Sequence, residues 1–318
     1  MRALVYTGPH MLEVLDVAEP AVGAGEVLVT VAAAGICGSE IEGFVSESPF
    51  RVPPLVMGHE FSGWRSDNGA LVAVNPLVFC GTCDLCLRGQ HNICRTRVIA
   101  GIQRPGGFAE RVAVPERCCV DLPDGMTPLQ GAFVEPVANG VHAMRLVREH
   151  DPLPQRVGVI GVGPLGYAVI VAAVHCGIPV VEAADSFGPR REWAEHAGAS
   201  RATDRLRGEF DAVVDTVGTA ATRAASAELL RPGGTAVWMG LHGPENMVDG
   251  QVLIRTEKRV ITSFCYTDAD FRAAVTIAAR VRTDWGYEVP LAQGVPAFRA
   301  LIGRPSATLK TFLLPEVS

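Results

Sequence analysis

Lysine is almost missing from this 318-residue chain. Lys258 and Lys310 are the only two, and arginine supplies the rest of the 28 basic side chains. That imbalance reads as codon bias rather than chemistry. With 34 acidic residues the net charge is −6, and there is no basic cluster and no basic-aromatic stripe. The electrostatic footprint of a nucleic-acid or anionic-membrane binder is therefore lacking. No apolar run reaches the roughly 18 residues of a membrane span. The opening "MRALVYTG" goes straight into strand-like alternation, without the apolar stretch and small-residue cleavage site of a signal peptide. A cytoplasmic protein is expected. Internal repeats and low-complexity linkers are also absent. Aromatic residues are scarce at 6%, yet 48% of the chain is hydrophobic and the mean hydropathy is +0.23, enough to fill a core. The length suggests about two domains.

The first third is β-rich: "RALVY", "EVLVTVAAAG", "ALVAVN" and "FAERVAVP" are short runs cut by Gly and Pro. From "RVGVIG" onward, strands and helices alternate, which predicts βαβ units around a parallel sheet. In the last of these helices, "DADFRAAVTIAARV", Asp268 is placed to cap the start. The tail ends in the strand-like "TLKTFLL". It is too short for a domain and is expected to rejoin the first segment, with "EPVANGVHAMRLV" as the bridging helix. The expected division is 1–140 with 285–318 for the β-rich domain, and 141–284 for the doubly wound one.

"VIGVGPLG" follows a strand and opens a helix. Gly161 permits the tight turn, Gly163 lets backbone approach a pyrophosphate, and Gly166 lets helix pack on strand. Pro164 and Leu165 begin the helix, whose N-terminus offers free N–H groups to phosphates. Asp185, about 20 residues on, is placed for the adenosine ribose. A carboxylate there repels a 2′-phosphate, which favours NAD over NADP, although Arg190 and Arg191 stand close enough to hold that phosphate.

Four of the nine cysteines crowd into "CGTCDLCLRGQHNIC". Cys80, Cys83, Cys86 and Cys94 can close a tetrahedron of thiolates around one zinc ion. The iron–sulfur alternative needs a fourth cysteine three residues on, followed by proline; here it comes after seven and Arg95 follows. His91 is left facing solvent. Cys118, Cys119, Cys176 and Cys265 have no ligand spacing and read as packing residues. A second metal is possible at Cys37, His59 and a carboxylate, Glu60 or Glu135. Taken singly, each has an ordinary structural role open to it: small buried hydrophobe, hydrogen-bonded histidine, helix cap.

Taken in order, "GICGS", "GHE", the four-cysteine loop, "EP" and "GVGPLG" resemble the zinc-dependent medium-chain alcohol dehydrogenases, nearest to the sorbitol, polyol and threonine dehydrogenase branch. The resemblance spans nearly the whole chain. It implies a GroES-like β-rich catalytic domain plus a doubly wound Rossmann domain, an α/β protein. It implies two zinc ions: a catalytic one at Cys37, His59 and either Glu60 or Glu135, and a structural one at the four clustered cysteines. It implies NAD at the glycine loop and Asp185, with Val217, Leu241 and Phe264 in segments that line the cofactor. The substrate would be a small alcohol or carbonyl compound, and the enzyme a dimer or tetramer. Hydride leaves a carbinol carbon readily only when its oxygen is close to an alkoxide, and zinc as Lewis acid lowers the pKa of an oxygen that it holds. Ser39 matches the hydroxyl that takes the proton. Relatives commonly continue with Asp and then His; here Glu40 and Glu42 stand there, so the onward proton path differs. Two stretches, after "GHEFSG" and at "RATDRLRGEF", are shorter than in the family. The competing expectations are an NADPH-dependent carbonyl or imine reductase and a non-catalytic nucleotide-binding relative.

Overall fold

The computed structural model describes residues 1–46, 49–303 and 307–316. The chain falls into two compact units, Met1–Glu135 with Ala274–Ser318, and Pro136–Ala273.

The first unit is built on antiparallel strands. Glu26–Gly35 is its longest, pairing with Glu60–Arg65, Arg111–Pro115 and the C-terminal Lys310–Leu314. The last of these pairs in turn with Gly286–Pro290, so the tail completes the first sheet. A second sheet centres on Arg2–Gly8, flanked by Met11–Asp16 and Leu55–Val56. The alternation seen in the sequence turns Leu4, Tyr6, Val29, Val31, Phe61, Val72 and Phe312 inward, all essentially without exposure. Trp285 and Phe44 are buried too.

The second unit is a six-stranded parallel sheet in the order 3-2-1-4-5-6, from Arg156–Ile160 in the middle to Arg259–Thr262 at one edge. This is the strand order of the dinucleotide-binding fold. Only six residues, 204–209, join Arg201–Thr203 to Phe210–Asp215, and they hold no helix. Leu206 and Phe210 cover the sheet there instead. A Cβ on Gly158 would lie 2.7 Å from Leu206 Cδ1. Arg156 seals the turn, stacked 4.2 Å from the Phe210 ring centroid and bonded to Glu182 and the carbonyls of Arg207 and Glu209.

The helix Asp268–Ala278 begins differently from expectation. Thr267, not Asp268, caps it: Thr267 Oγ1 accepts from the Asp270 N–H, and Asp270 Oδ2 accepts from the Thr267 N–H. A reciprocal pair of this kind satisfies two donors at once. Asp270 also meets His142 Nδ1 at 2.7 Å and accepts from Arg145 Nε at 3.1 Å. Burial would push this carboxyl up, but the His142, Thr267 and Arg145 groups outweigh it and bring it down to about 2.

A carboxyl lower in the folded than in the unfolded chain stabilises above the unfolded pKa and ceases to do so as pH falls through the folded one. Asp270→Asn is therefore expected to cost about 2 kcal/mol at neutral pH, a cost that shrinks below about pH 4. Urea unfolding of both proteins across that range measures it; a difference independent of pH would refute the linkage.

Candidate active site and cofactor site

Strand Glu26–Gly35 runs into Cys37, which precedes the helix Gly38–Val45. Strand Glu60–Arg65 pairs beside it, with Gly35 opposite Glu60. That register brings two distant stretches together: one ligand atom each from Cys37, His59 and Glu60 lies within 4.8 Å of the others. A thiol, an imidazole and a carboxylate at this separation fit a zinc ion with one position left open. Glu135, in the first turn of the helix Val134–His150, is buried but lies outside this close group.

Glu40 holds the group in place. It is fully buried, and its Oε2 accepts from the Cys37 N–H while Oε1 accepts from the N–H groups of Gly58 and His59. Its Oε1 also lies 2.9 Å from His59 Nδ1, off the direct hydrogen-bonding line. Burial raises a carboxyl; the His59 charge, the Cys37 N–H and Arg51 overcome that and leave Glu40 below its ordinary value. Burial likewise pulls the His59 imidazole down, and Glu40 and Cys37 reverse this, holding it well above its usual value. Ser39 is half-buried on the same helix, and Glu42, one turn on, is exposed.

Lys310 is the residue that sequence reasoning missed. It is buried, donates from Nζ to Glu60 Oε1 at 2.8 Å and to the Ile36 carbonyl, and lies 2.6 Å from Glu60 Oε2. Burial lowers its pKa, but Glu60 and Cys37 raise it further, so the ammonium stays charged. Its only mark in the sequence is that it is one of two lysines among many arginines.

The four clustered cysteines approach one another without bonding. Their sulfurs stand 3.8 Å (Cys80–Cys86), 4.0 Å (Cys83–Cys94) and 3.6 Å (Cys80–Cys94) apart. A tetrahedron with zinc–sulfur bonds of about 2.3 Å has edges of about 3.8 Å. Disulfide bonds, at about 2.0 Å, are excluded. The Thr82 and Cys83 N–H groups point at Cys80 Sγ and lower its thiol to about 5. Burial pushes Cys86 up to about 12 in the absence of a cation. His91 is half-buried and stacks on Phe79, with 4.0 Å between ring centroids.

In the parallel sheet, Gly161 has φ +88°, where a side chain is strained, and a Cβ on Gly166 would lie 1.9 Å from the Gly161 carbonyl oxygen. Gly163 meets nothing closer than Arg190 Nη1 at 3.9 Å, so its face stays open. Pro164 begins the helix Pro164–His175, followed by Leu165. Asp185 directly follows the strand Val180–Ala184, with Oδ2 accepting from the Val162 N–H and Oδ1 from the Phe187 N–H. Arg191 donates to the Asp185 carbonyl, and Arg190 Nη1 is 4.0 Å from the carboxylate. Val217, Leu241 and Phe264 follow the fourth, fifth and sixth strands at their C-terminal ends, where such sheets bind ligands; Leu241 and Phe264 are exposed. Asp215, which the sequence did not single out, shapes the first of these loops by accepting from the N–H groups of Val217 and Gly218 and from Thr222 Oγ1.

Known proteins resemble this chain in sequence and fold. Residues 23–124 match the family model described as alcohol dehydrogenase GroES-like domain, and 164–280 the one described as zinc-binding dehydrogenase. The chain is 30% identical to the L-galactonate-5-dehydrogenase of Escherichia coli, over 85% of each protein. It is 31% identical to a probable D-xylulose reductase A of Neosartorya fischeri, over 81% of this chain and 80% of that one. A putative zinc-binding dehydrogenase of Sinorhizobium meliloti, solved with NADP bound, superposes with a TM-score of 0.91 at 27% identity over 99% of both chains. The chain belongs to the zinc-dependent medium-chain alcohol dehydrogenase family, with a GroES-like and a Rossmann domain. It is an oxidoreductase of that class, acting on alcohols.

Removing the Glu40 carboxylate would orphan three buried N–H groups. Glu40→Ala is expected to cost about 3–5 kcal/mol. Urea unfolding of the variant checks this, and a loss below about 1 kcal/mol would show that these bonds are not needed.

Proposed function

We propose that this protein is an NAD-linked dehydrogenase of a secondary alcohol, with a polyol or sugar-like substrate. The close convergence of Cys37, His59 and Glu60 beside Ser39 is the observation that carries this. Cys37 and His59 hold a catalytic zinc together with one carboxylate, Glu60 in the arrangement described and Glu135 as the second candidate. When bound, zinc supplies Lewis-acid polarisation of the substrate oxygen. Glu40 fixes the Cys37 and His59 backbones and flanks the imidazole. Ser39 accepts the hydroxyl proton, since a hydroxyl both accepts and donates, and Glu42, exposed one turn away, passes it to solvent. Gly161, Gly163, Gly166 and the helix from Pro164 receive the pyrophosphate; Asp185 receives the adenosine ribose; Val217, Leu241 and Phe264 flank the cofactor. Cys80, Cys83, Cys86 and Cys94 hold a second, structural zinc. The names of the relatives, a galactonate dehydrogenase and a xylulose reductase, support a polyhydroxylated substrate.

A panel of alcohols, polyols and sugars with NAD⁺, followed by NADH formation, tests the activity. Cys37→Ser is expected to lower turnover by at least about 10³-fold with the fold intact. Zinc content should be about two ions per chain, and about one in Cys83→Ser, which should also unfold at lower temperature. Retained turnover in the first variant, or unchanged metal in the second, would overturn the ligand assignments.

One observation favours a second possibility. Arg190 and Arg191 adjoin Asp185, and the Sinorhizobium structure carries NADP. The Asp185 carboxylate predicts at least about tenfold higher kcat/KM with NAD than with NADP. Side-by-side kinetics decide it, and an NADPH preference would transfer the assignment to a carbonyl reductase.

A further inference from the structure

The parallel sheet is bare on one face at its Arg201–Thr203 edge. Val181 and Ala183 turn to the helices Pro164–His175 and Gly188–His196. Glu182 and Ala184 turn the other way, and Arg201 and Thr203, their register partners, turn with them. On that face Ala184 clusters with Leu206 and Phe210. Residues 204–209 hold no helix that could cover the rest. What remains is a cavity of about 340 Å³, lined by Glu182, Arg201, Thr203, Asp204, Arg205 and Arg207. Pockets for small molecules begin at about 300 Å³.

The lining is basic. Arg201, Arg205 and Arg207 are exposed, and none of the three guanidiniums has a hydrogen bond, ion pair or ring contact among the described residues. Glu182 is already neutralised, with Oε1 accepting from Arg156 Nε at 3.0 Å and Nη2 at 2.6 Å. Asp204 is the only other carboxylate of the lining. Two positive charges are therefore unbalanced there, on a chain whose net charge is −6. Guanidinium forks match the oxygens of a phosphate or carboxylate. A phosphate monoester carries nearly two negative charges at neutral pH, which meets that excess; a monocarboxylate carries one.

The loop that bears these arginines is tied down by the protein itself. Arg156 Nη1 and Nη2 donate to the carbonyls of Glu209 and Arg207, and Thr203 Oγ1 donates to the Arg205 carbonyl. Gly208 takes φ +86° against Arg156, where a Cβ would lie 2.9 Å from Nη1. A backbone ordered in advance loses less entropy when a ligand arrives.

We propose that this cavity is a binding site for a small phosphate monoester. It is additional to the cofactor site: neither the glycine loop nor Asp185 lines it. The proposal does not depend on which alcohol is oxidised.

Calorimetric titration of β-glycerophosphate, acetate and glycerol into the zinc-loaded full chain, with and without saturating NADH, tests it. The ester is expected to bind with a Kd below about 1 mM at low salt, NADH present or not, and at least about tenfold more tightly than acetate or glycerol. Arg201→Gln and Arg207→Gln should each weaken it about tenfold. Asp204→Asn, which removes the opposing charge, should tighten it about two- to fivefold. Arg148→Gln, an exposed arginine on the helix Val134–His150, is the control and should leave it unchanged. Should an arginine variant fail to fold, the gain in Asp204→Asn carries the test. A Kd above about 1 mM, or acetate binding as tightly as the ester, would overturn the proposal. So would equal weakening by Arg148→Gln, which would reduce the effect to net charge. Displacement of the ester by NADH would place it in the cofactor site and overturn the proposal as well.

Discussion

One buried carboxylate organises the catalytic half of this protein. Glu40 sits in the first turn of the Ser39 helix and accepts N–H groups from both sides of the candidate metal group, Cys37 on its own helix and Gly58 and His59 on the approach to the neighbouring strand. A carboxylate without exposure is stable only when its lone pairs are used and its charge is met. Here Arg51 supplies that charge, beside the His59 imidazole. The constraint fixes the separation of two segments 22 positions apart in sequence, and so places a sulfur and an imidazole within reach of one ion.

The charge pattern around that carboxylate is layered. Glu40 faces His59 and Arg51, and Glu60 faces Lys310. Two acids and two permanent cations leave the local charge of the protein groups near zero before His59 and Cys37 are counted. Lys310 orients the Glu60 carboxylate within that group.

Much of this was legible in the sequence, for identifiable physical reasons. In the glycine loop Gly161 needs its positive φ and Gly166 its close approach to backbone, needs that only glycine meets and that the spacing made legible. The four clustered cysteines were legible because thiols crowded into one short loop can surround a single ion without help from the rest of the fold. The parallel sheet was legible because apolar strands and helices alternate. What could not be read were contacts set by tertiary register. Lys310 reaches Glu60 only because Phe312 pairs with Gly35, and nothing local to either segment announces that pairing. Arg51 packs against Gly43, where a Cβ would lie 2.6 Å from its Nη1, a contact that pattern alone does not announce. Thr267 rather than Asp268 caps its helix because Asp270 turns back to it, a preference of a single residue that pattern alone does not settle. His91 stacks on Phe79 where four sulfurs seemed to leave it to solvent.

The position of Lys310 also sets an order of events during synthesis. Cys37, His59 and Glu60 leave the ribosome early, but the ammonium that meets Glu60 lies 250 residues later. At about 5–20 residues per second, roughly 12 to 50 seconds separate them. The Rossmann residues Pro136–Ala273 are made entirely within that interval. The nascent chain thus carries this thiol, imidazole and carboxylate well before the strand that closes their sheet exists. Nascent chains halted before Lys310 would present this cluster open along the edge of Glu26–Gly35, the strand that Lys310–Leu314 later covers.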